Sequence, residues 1–271
     1  MLRRAHTEGM DTLTSRDGTT IAFDEQGQGP ALILVDGALT VHSSGSGELA
    51  GLLAPHFTVY GFDRRGRGGS GDTPPYAVDR EIDDIEALTD RAGGSAFLYG
   101  HSSGGPLAMR AAIRLGRKVA KLAMYEPPYN NDPDAQESWS RYLGQLRQAL
   151  AEGRQGDAVA LFMRFTGTPA EQVARLRRGP AWPGLEAVGP TLAYDHAAIL
   201  GEPWSVPAEL AARVPVPTLV MSGDAGLPFM PDAARVLSQA IPKGQLRMLA
   251  GQTHEVKPGV LAPALVEFFT V

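Results

Sequence analysis

Short apolar runs separated by charged, helix-like stretches set the rhythm of this chain. Ala31–Val35 (ALILV) is an apolar run between turn signals, the pattern of a strand buried on both faces. Phe57–Phe62, Ser95–Tyr99, Val119–Tyr125, Pro217–Ser222 and Gln245–Leu249 read the same way. Thr20–Gln26 reads as a strand that runs into the turn Gly27-Gln28-Gly29-Pro30. Between these runs, Val78–Ala92 alternates charged and apolar residues at helical spacing and stops at Gly93-Gly94. Further helices are predicted from about Gly104 to Leu115 and over Pro258–Phe269. Strands alternating with helices predict an α/β fold with a mostly parallel sheet covered on both faces.

One segment breaks the alternation. From Pro128 to Val206 only helical pattern appears, over Ser138–Ala151, Asp157–Phe165 and Pro169–Arg178. Residues 128–206 are therefore expected to form a helical cap, or lid, inserted after a strand, with 1–127 and 207–271 as the core. All three tryptophans, Trp139, Trp182 and Trp204, fall within it. They either pack the cap onto the core or line a pocket for a bulky apolar ligand, since pocket walls are mostly apolar and aromatic. Trp182 is the leading candidate for the second role.

Composition narrows the function classes. Twenty-five basic and thirty acidic residues give a formal charge of −5, and no basic stripe suggests a nucleic-acid partner. Arg64, Arg65 and Arg67 read as loop structure rather than a phosphate patch. No apolar run is long enough to span a bilayer. Met1–Met10 carries Arg3 and Arg4 with no apolar stretch behind them, so it reads as a frayed or added leader and not as a signal peptide. The chain has no cysteine, which excludes a thiol nucleophile and thiolate metal sites and fits a reducing compartment. A soluble cytoplasmic protein is expected, monomer or homodimer, without membrane contact.

The chemistry is carried by Gly100-His101-Ser102-Ser103-Gly104, a G-x-S-x-G sequence between a strand and a helix. That context is the nucleophile elbow, a sharp turn that lifts the serine hydroxyl above the sheet edge and needs glycine at both flanks. A serine hydroxyl is protonated at neutral pH and needs a base. Of the six histidines, His6 lies in the leader, His56 opens a strand, His101 should point away from the serine and His196 belongs to the cap. His254 follows the last strand in Gly251-Gln252-Thr253-His254, at the carboxyl edge where such sheets place their sites. Ser102 is thus the candidate nucleophile and His254 the candidate base.

With these residues the chain resembles the α/β-hydrolase superfamily, over roughly Leu13 to the C-terminus. Asp63-Arg64-Arg65-Gly66-Arg67-Gly68-Gly69-Ser70 matches that family's D-x-R-G-x-G-x-S loop, and the order of serine early and histidine last matches as well. The resemblance implies an eight-stranded, mostly parallel sheet with a cap after strand 6. It implies an oxyanion hole built from the amide of Ser103 and that of Ala38 or Gly37. Val35-Asp36-Gly37-Ala38 occupies the oxyanion turn, with Asp36 where His is commoner, and Asp36 joins Trp139, Trp182 and Trp204 as a candidate substrate contact.

The third member of the triad departs from the family pattern. The usual acid position, after the penultimate strand, holds Gly226. Two carboxylates can replace it. Asp224 is nearby but reads naturally as a turn-forming residue. Glu126, in Tyr125-Glu126-Pro127-Pro128, follows the strand that a right-handed crossover places beside the elbow strand. Glu126 is preferred and Asp224 is the alternative. Zearalenone lactonases are similar in placing the acid there, in their Asp-Gly oxyanion turn and in their S-S-G elbow.

The expectation is a serine hydrolase that cleaves a bulky apolar carboxylic ester or small-molecule lactone through an acyl-enzyme. Carbon–carbon bond hydrolysis, cofactor-free perhydrolysis and a non-turnover binding protein are the rivals. No H-E-x-x-H, Walker or Rossmann sequence is present, so no metal and no cofactor is expected.

Overall fold

A computed structural model describes residues 10–271, so the leader up to residue 9, His6 included, lies outside the described residues. Eight strands form one sheet: β1 (Asp11–Thr14), β2 (Thr20–Gly27), β3 (Ala31–Val35), β4 (Thr58–Phe62), β5 (Ala96–His101), β6 (Val119–Tyr125), β7 (Thr218–Gly223) and β8 (Gly244–Leu249). Their order is β1-β2-β4-β3-β5-β6-β7-β8. β2 runs antiparallel to β1 and β4, and every other neighbouring pair is parallel.

The central strands are apolar throughout because both faces are covered. Along β3, Ile33 and Val35 enter the core on one face, whereas Leu32 and Leu34 enter the core on the other. β5 and β6 repeat this, with Leu98, Leu122 and Met124 on the first face and Tyr99, Ala123 and Tyr125 on the second. That is the two-residue period of a strand read against two helical layers. Each such side chain taken fully out of water stabilises the fold by roughly 1.5–3 kcal/mol.

The first face carries α2 (Val78–Arg91), α3 (Gly104–Leu115) and α9 (Phe229–Ala240), and the second carries α1 (Gly47–Leu53) and α10 (Pro258–Thr270). Neither α1 nor α9 is expected from the sequence reading above. Met230, Ala233, Ala234 and Leu237 of α9 are buried at helical spacing, but Pro228 and Pro231 in its opening turn disguise the pattern. β1 is too short and too exposed to carry an apolar signal.

Between β6 and β7 the chain is helical: α4 (Pro133–Ala151), α5 (Gln155–Phe165), α6 (Ala170–Leu176), α7 (Trp182–Val188), a π-helical stretch Ala193–Leu200 and α8 (Ala208–Ala211). α4 begins at Pro133 rather than Ser138 because Asp132 caps it, its carboxylate accepting from the amides of Asp134 and Ala135 at 2.8 and 3.2 Å. Among the described residues no helix is long and apolar enough to cross a membrane.

The loop after β4 is built by charge. Arg65 donates to both oxygens of Asp84, at 2.8 and 2.7 Å, and to Asp17 at 2.9 Å. Arg64 takes Glu81 in the same two-pronged way, at 2.8 and 2.9 Å. Arg64, Arg65 and Arg67 are all buried, so they are internal braces and present no patch to an external phosphate.

Candidate active site

Strand register brings two of the candidate residues together. His101 pairs with Tyr125 across β5 and β6, and the next amide, that of Ser102, donates to the Tyr125 carbonyl at 3.0 Å. Glu126 follows Tyr125, and its own amide donates to Met221 of β7 at 2.9 Å. Nucleophile candidate and acid candidate therefore leave adjacent strands at the same level.

Both leave in a conformation that L-residues avoid. Ser102, Glu126 and Leu39 have φ of 53°, 46° and 58°, and they are the positive-φ residues other than glycine among the described residues. Each costs about 1–3 kcal/mol, and such strain gathers where a site over-determines the backbone. At the elbow, a Cβ on Gly104 would lie 2.1 Å from the Val35 carbonyl oxygen, so the α3 start can meet β3 only as glycine. Gly37 is also close, though less so, since a Cβ there would stand 2.9 Å from the Ser102 Cβ.

Glu126 is fully buried, and its oxygens are all engaged. Oε1 accepts from Ser222 Oγ and from the Gly223 amide, each at 3.0 Å, and Oε2 accepts from His254 Nδ1 at 2.7 Å. A carboxylate on Nδ1 fixes the ring proton there and leaves the Nε2 lone pair free to act as a base. Asp224 goes elsewhere: its Oδ1 accepts from the Gly251 amide at 2.6 Å and closes the turn after β8. Gly226 lies against the backbone of Thr253 and His254, where an added Cβ would be 3.5 Å from the His254 backbone nitrogen, so this position borders the His254 loop but offers it no carboxylate.

The His254 loop is held from below. Tyr125 Oη donates to the Thr253 carbonyl at 2.6 Å, and His101 Nε2 donates to the His254 carbonyl at 3.0 Å. The second bond was not legible in the sequence, where His101 is expected only to face away from the serine. Burial, reinforced by the nearby His254, lowers the His101 pKa to about 4, which keeps the ring neutral.

Ser102 and His254 open onto one cavity of about 840 Å³. Ser103, Ala38, Gly37 and Asp36 line it at one end, and Trp139, Trp204, Phe165 and Phe229 line it further up. Trp139 and Trp204 stack at 4.6 Å, and Trp139 Nε1 is fixed to the Gly201 carbonyl at 2.9 Å. Trp182 corrects the expectation placed on it. It lies away from this cavity, beneath the Arg177 guanidinium at 5.4 Å and beside Gly156 of α5. Asp36 is buried at the cavity edge, accepting from Ser46 Oγ at 3.1 Å, and loss of solvent pushes its carboxyl up to about 6. His196 also faces the cavity, buried and bonded to Tyr142 Oη at 2.7 Å, and burial lowers its pKa to about 4.

Residues 38–266 match the model of the alpha/beta hydrolase family. The chain belongs to the alpha/beta hydrolase family. A crystal structure of an alpha/beta hydrolase from Sphaerobacter thermophilus is 46% identical, with a TM-score of 0.84 over 96% of this chain and 100% of that one. The pimeloyl-[acyl-carrier protein] methyl ester esterase of Nitrosospira multiformis is 26% identical over 87% of this chain and 91% of its own length. The N-formylmaleamate deformylase of Pseudomonas putida is 34% identical, a match over 50% of this chain and about half (52%) of the deformylase's length.

The buried histidines set a pH dependence of stability. His101 and His196 titrate near 4 in the folded chain and near 6.5 when unfolded, so below about 6.5 the unfolded state binds more protons. Stability is expected to be full above about pH 6.5 and to fall as pH drops towards 4, by on the order of 3 kcal/mol for each histidine. Two groups act in the opposite sense and offset part of the loss: Asp36, whose folded carboxyl gains a proton near 6, and buried His42, whose pKa is raised by the neighbouring carboxylates led by Asp24 and whose contribution fades as pH rises above about 6.5. Urea unfolding across this range tests the sign; His196→Gln should flatten the profile, and a flat wild-type profile would contradict it.

Proposed function

We propose that this protein is a serine hydrolase, an esterase or lactonase that works through an acyl-enzyme on Ser102. Ser102 Oγ attacks the carbonyl carbon while His254 Nε2 takes its proton. The amides of Ser103 and Ala38 receive the negative charge that develops on the carbonyl oxygen, the step at which fixed donors contribute most. Collapse of the tetrahedral intermediate expels the alcohol, which takes the proton back from His254. Water, deprotonated by His254, then releases the acid and restores Ser102. No metal or cofactor enters this cycle. The observation that carries the reading is the 2.7 Å bond from His254 Nδ1 to the buried Glu126. Glu126 supplies the carboxylate that position 226 lacks, which favours turnover over simple binding. The likeness to a methyl ester esterase supports ester chemistry.

The cavity wall points to the substrate's character. Stacked tryptophans and the phenylalanines beside them favour a bulky apolar acyl or alcohol group. Among the described residues lining the cavity there is no Lys or Arg, whereas Asp36 and Glu255 do line it. The adjoining cleft, which shares Asn130, Ala135, Ser138 and Phe229 with the cavity, adds Asp132, Asp134 and Asp232. A carboxylate-bearing substrate would enter like charge without a partner. We read the substrate as uncharged.

A fluorophosphonate probe is expected to label the wild type and to leave Ser102→Ala unlabelled; a folded wild type that resists the probe contradicts the mechanism. Glu126→Gln should lower kcat by roughly a thousandfold or more, as loss of an orienting carboxylate does, whereas Asp224→Asn should stay within a few-fold of wild type. The reverse ranking in steady-state kinetics would transfer the acid role to Asp224. On p-nitrophenyl butyrate and its hemisuccinate counterpart, kcat/KM should favour the neutral ester by about tenfold, since like charges about 10 Å apart repel by on the order of 1.5 kcal/mol at an effective dielectric of 20. Equal rates on the two esters would remove the charge argument.

A further inference from the structure

Beneath the cavity floor lies a charge cluster that the acyl-transfer steps leave unused. Asp195, on the π-helical stretch of the insertion, is fully buried. Its Oδ1 accepts from Arg64 Nη1 at 2.6 Å and from Ser103 Oγ at 2.8 Å, and its Oδ2 accepts from Arg67 Nη2 at 2.5 Å. The same arginines reach on to the turn after β3. Arg67 Nη1 donates to the Gly37 carbonyl at 2.6 Å, and Arg64 Nη1 donates to the Asp36 carbonyl at 3.1 Å. Glu81 holds the far side of Arg64, so two guanidinium charges meet two carboxylates. Burial alone would raise the Asp195 carboxyl, but Arg64 and Arg67 hold it well below the usual carboxylate range, and it stays charged.

The bond to Gly37 has a consequence fixed by covalent geometry. A trans peptide is planar, so the Gly37 C=O and the Ala38 N–H point in opposite directions within one plane. A guanidinium gripping that oxygen from one side aims the Ala38 N–H to the other. The positive charge on the oxygen also polarises the peptide and strengthens its N–H as a donor. On the elbow side, Asp195 holds Ser103, whose amide is the second candidate oxyanion donor. Among the described residues neither the Ala38 nor the Ser103 amide donates a hydrogen bond, and both residues line the cavity.

We propose that Asp195, acting through Arg67 on the Gly37 carbonyl and directly on the Ser103 hydroxyl, is the positioning residue that sets the oxyanion hole, so that docking of the helical insertion assembles the hole as well as walling the cavity. This rests on the serine hydrolase reading. Asp195 and Arg67 touch no reacting atom; they fix the direction of the two amides that do. Loss of such a role weakens transition-state binding and spares ground-state binding.

The test uses the full-length chain, with rates referred to sites titrated by a fluorophosphonate so that any unfolded fraction drops out. Asp195→Asn keeps the side-chain shape and removes the charge. It is expected to lower kcat on p-nitrophenyl butyrate by about 30- to 100-fold, towards the loss seen when one oxyanion donor is removed, with KM within about threefold. Inhibition by an aryl boronic acid, which forms a tetrahedral adduct on serine, should weaken by a similar factor. Arg67→Lys, which keeps the charge but cannot bridge Gly37 and Asp195 in two directions, should show the same split, and it stands as the test if Asp195→Asn fails to fold. A folded variant with wild-type kcat and boronate affinity overturns the proposal, as does a loss confined to KM. A wild type that the fluorophosphonate does not label would instead defeat the serine hydrolase reading itself.

Discussion

The amide of Ser102 bonded to the carbonyl of Tyr125 is the constraint on which the rest of the site depends. It extends the β5–β6 ladder by one rung at the point where both strands end, so Ser102 and Glu126, the proposed nucleophile and acid, leave the sheet side by side. Each then turns through a left-handed backbone angle, Ser102 towards the cavity and Glu126 towards the His254 loop. A slip of one residue in this register would exchange the two faces of the strand and separate the pair. The apolar runs that bury β5 and β6 on both faces hold that register, so the hydrophobic pattern of the sequence and the geometry of the chemistry are one constraint.

Charge does the same work on the other side of Ser102. Buried ion pairs are poor stabilisers, because the cost of taking ions out of water offsets most of their attraction. Here the cluster of Arg64, Arg67, Glu81 and Asp195 joins four separate stretches of chain: the loop after β4, α2, the insertion and, through main-chain oxygens, the turn after β3. An apolar substitute could fill the space but could not orient a carbonyl. The insertion therefore contributes to the reactive end of the cavity as well as to its aromatic wall.

Much of this was legible in the sequence. Runs such as ALILV and VAKLAMY gave the strands, the G-x-S-x-G context gave the strand–turn–helix, and the spacing from Ser102 to Glu126 was enough to bring that carboxylate to the same sheet edge. Features without a local signature were not legible. Asp195 and His196 sit in a helical stretch that pairs with Arg64, Arg67 and Tyr142, partners distant in the chain, and nothing near them in sequence announces it. The bond from His101 to the His254 carbonyl spans the whole C-terminal half. Trp182 was given a cavity role by residue type alone, but which face of a short helix looks inward depends on what packs against it, and α5 and Arg177 claim that indole.

The most direct measurement is a crystal structure of the chain after reaction with a fluorophosphonate. The account predicts phosphorus on Ser102 Oγ and the phosphonyl oxygen about 3 Å from the amides of both Ala38 and Ser103. It also predicts His254 still bonded through Nδ1 to Glu126. An adduct on another side chain, or a phosphonyl oxygen turned away from those two amides, would contradict it.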